Sequence, residues 1–98
     1  MTATRQELIE VLREARRLLS LPGNDFAWSS WEDADAATSE VDELIAMIEA
    51  DVLPRQLAVA VLFAPTGPIQ EVSLSSGWAY EFIDLASRFD AVEAVLYQ

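Results

Sequence analysis

Histidine, cysteine and lysine are all absent from this chain. Without cysteine there is neither a disulfide nor a thiol nucleophile, and a reducing compartment is permitted. Without any of the three, catalysis by nucleophile and base near neutral pH loses its usual participants. The expectation is a protein that is not an enzyme, with no catalytic, cofactor-binding or metal-binding residues and no cofactor. Positive charge is also scarce. Six arginines face 17 carboxylates, for a net charge of −11. That balance opposes phosphate backbones and anionic lipid surfaces, so neither nucleic acid nor a membrane is expected as partner, while a basic protein is favoured. No long hydrophobic run occurs. The longest, residues 57–64, falls well short of the roughly 20 residues a bilayer requires. The first twenty residues carry charges every few positions rather than the apolar core of a signal peptide, which points to the cytoplasm.

What is present suits one folded domain, residues 1–98. The chain is 52% hydrophobic, far from the composition of disordered segments. Thr4 and Glu7 have capping-box spacing, and Leu8, Val11, Leu12, Ala15, Leu18 and Leu19 then recur at three- and four-residue steps, which predicts a first helix ending at Pro22-Gly23. A second helix is expected from Ser29 and Glu32, with Thr38 as a rival start. Its buried stripe would be Val41, Leu44, Ile45, Ile48 and Val52. Between residues 25 and 51 lie nine acidic side chains and no basic one, whereas arginines crowd the first helix. The two helices are therefore expected to pack antiparallel with opposite charges facing.

The apolar run of residues 57–63, the turn-like Ala64-Pro65-Thr66-Gly67 and the following residues 69–75 read as an antiparallel β-hairpin with a three-residue loop and a glycine bulge. In that register Val59, Val61 and Phe63 share a face with Ile69 and Glu71. Ser75-Ser76-Gly77 would open a last helix with Phe82, Leu85, Ala86 and Phe89 as its stripe. Residues 91–98 fit either a continued helix or a third strand, with continued helix preferred. The expected fold class is α+β: two N-terminal helices, the hairpin and a C-terminal helix, with the helices packed on one face of the sheet. The uncovered face, carrying Val59, Val61, Phe63, Ile69 and Glu71, is then a candidate interface, and pairing through the free edge predicts a homodimer.

Other constellations have ordinary alternatives. Glu71 on an apolar sheet face would be the carboxylate most open to perturbation, unless it is solvated at the edge. Asp33, Asp35, Asp42 and Glu43 lack the spacing, glycine and closing glutamate of a calcium loop, and read as a solvated face. Trp28, Trp31 and Trp78, with Gln70, are a candidate ligand groove, although the rings also suit a small core.

The stretches FAPTGPIQEVSLSSGW and NDFAWSSW, behind an arginine- and leucine-rich helix, resemble a group of small uncharacterised bacterial proteins over nearly the whole chain. The expected element order also loosely resembles small immunity proteins that neutralise toxins. That resemblance implies an antidote role but transfers no motif residue by residue. The function expected from the sequence is a non-catalytic, acidic protein-interaction module. The alternatives are an antidote covering a basic toxin surface, or a small ligand-binding protein or enzyme using Glu71 and the tryptophans.

Overall fold

A computed structural model describes residues 2–98, and among them every regular element is an α-helix. The order is α1 (Ala3–Leu19), α2 (Ala34–Glu49), α3 (Gln56–Phe63), α4 (Pro68–Ser76) and α5 (Ala79–Leu96). The expected α+β class is therefore overturned, and the hairpin with it.

The physical reason lies in residues 56–77. A run in which every residue is apolar satisfies a two-residue and a 3.6-residue period equally. Burial separates the two. Val59, Leu62 and Phe63 are buried, spaced three and four apart, whereas Val61 is 48% exposed. A strand would have placed Val59, Val61 and Phe63 together. Ala64 then turns extended, as a residue before proline is driven to do, and α3 stops. Thr66 takes a left-handed φ of 64°, and its N–H is held by the Gln70 side-chain carbonyl. Pro68, read above as the head of a returning strand, is the first residue of α4, where its missing N–H costs nothing. Gly77 ends α4 at a φ of 88°, and the N–H groups of Gly77 and Trp78 both donate to the Ser73 carbonyl.

The stretch Gln56–Ser76 counted as one is 21 residues long and contains an 18-residue window with a mean hydropathy of 1.4, enough by length and composition to cross a bilayer. The break divides it into two helices that pack against each other, α5 and the core. Val59, Leu62, Ile69 and Val72 are each fully buried there.

Helix α1 is the centre of the molecule. All six residues of its expected stripe are buried, joined by Ile9, and the helix packs against α2, α4 and α5. Its start lies at Ala3, because the Thr2 hydroxyl accepts from the Arg5 N–H at 3.1 Å. Helix α2 starts at neither expected position. Asp33 caps it, accepting from the Ala36 N–H at 2.9 Å, while Ser29 closes the preceding turn by donating to the Phe26 carbonyl. The stripe of α2 is Ala37, Val41, Leu44, Ile45 and Ile48; Val52 lies beyond the helix, half exposed.

Helices α1 and α2 do run antiparallel with their charges facing. Arg5 pairs with Asp51 at 2.7 Å, Arg13 with Glu49 at 3.3 Å and Arg16 with Asp42 at 2.6 Å, in reversed order along the chain. These pairs stand in water, so they set register more than they add stability. Within α1, Arg17 donates to Glu14 at 2.6 Å and holds its carboxyl below the ordinary range, against a smaller opposing effect of burial.

Helix α5 continues to Leu96, with Val92 buried, so residues 91–96 extend the helix rather than adding a strand. Tyr97 then donates its hydroxyl to the Pro54 carbonyl at 2.7 Å and ties the end of α5 to the link before α3. Burial raises the Tyr97 pKa above its ordinary value of 10.0. A raised folded-state value means its contribution is complete below the unfolded pKa and is lost as pH rises through the folded one. Tyr97→Phe should therefore lower stability at pH 8 and lessen the loss as pH rises above about 10. Denaturant melts across that range check this; parallel curves for the two proteins would refute it.

Candidate groove between α3 and α5

The sequence-predicted interface does not assemble. Val59, Phe63 and Ile69 are core residues, Val61 faces outward, and Glu71 is partly buried in the first turn of α4. Without a strand among the described residues there is no sheet edge, so the reason for expecting edge pairing falls away.

The tryptophan groove does not assemble either. Trp31 and Trp78 are buried, with their ring N–H groups donating to Glu40 at 3.3 Å and to Asn24 at 2.9 Å. Gln70 is spent on the Thr66 N–H. Trp28 alone of the three is exposed, at 76%. Its loop is nonetheless pinned, since Asn24 donates to the Leu18 carbonyl and the Asp25 N–H donates to the Ser76 hydroxyl. Trp28→Phe should therefore remove most of the emission that acrylamide quenches, leaving a blue-shifted spectrum from two shielded rings. Unchanged quenching would show that this placement is wrong.

What the fold does build is a groove of about 490 Å³ between α3 and α5. Its floor is the Phe63–Phe89 pair, stacked with ring centroids 4.5 Å apart and planes 13° from parallel. It is open because the residues facing across it are small: Ala60 and Ala64 on one wall, Ala86 on the other. Phe82 extends the floor and Ile83, 59% exposed, forms an apolar edge. Leu57 and Val61 continue the outer surface of α3 at 77% and 48% exposure.

Polar groups are few. Asp90 and Glu93 line the groove towards the C-terminal end of α5, and Gln56 donates to Glu93 at 3.2 Å. Among the described residues no basic side chain lines it, and the last turn of α5 carries none. The negative pole of the helix and two carboxylates thus lie at the same end. Of the lining, the sequence singled out Phe63 as part of a sheet face and Gln70 beside the tryptophans, while Phe82, Ala86 and Phe89 were expected only as a core stripe. The available signal was the spacing of Phe82, Ala86, Phe89 and Glu93, which places aromatic, small and acidic positions along one strip of α5.

A second hollow, lined by Glu14, Glu81, Asp84, Leu85 and Arg88, mixes both signs of charge. The acidic segment of residues 25–51 is less free than its composition suggests. Asp33 caps α2, Glu40 receives Trp31, and Asp42, Glu49 and Asp51 pair with arginines. Among the described residues no three acidic side chains are placed to share a metal ion. Comparison with protein-family models, curated proteins and solved structures finds no match to this chain.

Proposed function

We propose that this chain is a non-catalytic, acidic protein-interaction module whose docking site is the groove between α3 and α5, occupied by a segment of a partner protein. The observation that carries this reading is an aromatic-floored apolar groove, open to solvent and flanked by further exposed apolar residues, in a chain of this charge. Single exposed apolar side chains are ordinary on a soluble protein; a concave, contiguous set is not. The chemistry favours binding over catalysis. Among the described residues the only ionisable groups lining the groove are Asp90 and Glu93, with no nucleophile beside them, and the sequence holds no histidine, cysteine or lysine.

Selection from a displayed library of short helical and extended peptides tests the reading, with the wild-type protein as bait and an Ile83→Glu variant as counter-bait. Ile83 is exposed, so the variant should keep its fold, verified by an unchanged thermal midpoint. The expected result is a set of sequences that bind the wild type directly and lose the variant by at least about tenfold. Selected sequences that bind both proteins equally would count against the groove.

A further inference from the structure

Resting on that reading of the groove, we infer that its occupant is an amphipathic α-helix of a partner protein, with arginines or lysines beside its apolar face.

Helicity follows from the polar groups the groove withholds. An extended segment brings unpaired backbone N–H and C=O groups, which lose water on docking and need partners. The groove offers few. The wall on α5 is paired within its helix, the Ala64 carbonyl accepts from the Gly67 N–H and the Pro65 carbonyl from the Thr66 hydroxyl. Gln70 gives its oxygen to Thr66 and Glu93 accepts from Gln56, which leaves the last-turn carbonyls of α3 and the Gln70 amide N–H groups, too few for both edges of an extended segment. A helix arrives with its own backbone paired and presents only side chains. The dimensions agree. From Phe82 to Glu93 the wall on α5 runs about 16 Å, or roughly three turns, at 1.5 Å per residue. The alanines at 60, 64 and 86 leave room for the larger residues of an apolar stripe above the Phe63–Phe89 floor.

Basic character follows from charge. Asp90 and Glu93 stand at the end of the groove where the α5 dipole is negative, and no cation in the lining neutralises them. With a net charge of −11, the whole surface adds attraction at long range, so a basic helix would be steered as well as held. A second copy of this chain fits less well, because its docking would bring two strongly acidic surfaces together.

Two labelled peptides of about fourteen residues test the inference, each with leucines along one helical face. One carries arginines beside that face and the other glutamates at the same positions. Binding is followed by fluorescence anisotropy to wild type, to Ile83→Glu, to Asp90→Asn with Glu93→Gln, and to a control, Asp35→Asn with Glu43→Gln. The control removes the same charge from exposed positions on α2. The expected result is that the arginine peptide binds wild type at least about tenfold more tightly than the glutamate peptide, a gap that narrows near 1 M salt. Neutralising Asp90 and Glu93 should weaken it about fivefold, the α2 control less than about twofold, and Ile83→Glu should abolish it. Equal binding of both peptides, lost in Ile83→Glu, would leave the apolar docking site standing and overturn the basic partner. Equal weakening by the groove and α2 pairs would reduce the effect to diffuse attraction and overturn it. It also falls if neither peptide binds up to about 1 mM, or if sedimentation shows self-association that Ile83→Glu abolishes.

Discussion

Ile48→Ala should destabilise the protein by about 2–5 kcal/mol. Ile48 is fully buried on the α2 face that meets α1, among Val41, Leu44 and Ile45. Truncation removes apolar burial and leaves a cavity that the close-packed side chains around it refill only in part. For a chain of this size that is a large share of the total stability. Leu44→Ala should act in the same direction, with less effect because its side chain retains slight exposure at 7%. Urea melts with an unchanged slope and a lowered midpoint are expected. An unchanged midpoint would mean that α2 turns a different face to α1.

Gly67→Ala should cost about 1–3 kcal/mol, through the corner between α3 and α4. A Cβ at Gly67 would stand 2.5 Å from the Val61 carbonyl oxygen and 2.9 Å from that of Ala64, both backbone atoms that cannot swing aside. The φ of Gly67 is −75°, which any residue adopts, so the cost is steric. Gly23→Ala is the informative comparison. There a Cβ meets nothing within 4 Å, but the φ of 85° is left-handed, and the expected cost is about 1–2 kcal/mol of backbone strain alone. Repacking separates the two: Gly67→Ala should also perturb the Phe63 and Phe89 ring environment, while Gly23→Ala should not. A Gly67→Ala protein as stable as wild type would show that the corner is not closely packed.

The contrast between these regions explains how much the sequence disclosed. The faces of α1, α2 and α5 were readable because apolar and polar residues alternate there at helical spacing, and each stripe lies buried except Val52 and the half-covered Ala86. The facing of α1 and α2 was readable from charge, since arginines on one and carboxylates on the other have a simple solution. Residues 57–63 contain no polar residue, so periodicity is silent and a turn-like tetrapeptide decided for a hairpin. The better signal lay one step further on. Proline at 68, glutamate at 71 and glycine at 77 are the start, first turn and end of a short helix, an asymmetry strands do not share. Alanine at 58 and 60 also favours helix over strand.

The candidate site followed the same fault. Once residues 57–75 are given a period of two, Val59 and Phe63 move to a surface and Val61 joins them, whereas in α3 two are core and one is exposed. The groove was half readable: the spacing of Phe82, Ala86, Phe89 and Glu93 marks its wall on α5, whereas the meeting of that strip with Ala60 and Ala64 is something no local pattern reveals.

Amide shift mapping in solution tests the central claim most directly, that the α3–α4 corner opens a partner site on α5. Titration of the isotope-labelled protein with the arginine-flanked peptide should perturb Ala60, Ala64, Ile83, Ala86 and Asp90 together, with the signals of α2 unmoved. Perturbations that instead track Asp35, Glu43 and the exposed face of α2, leaving Ala60 and Ala86 in place, would contradict it.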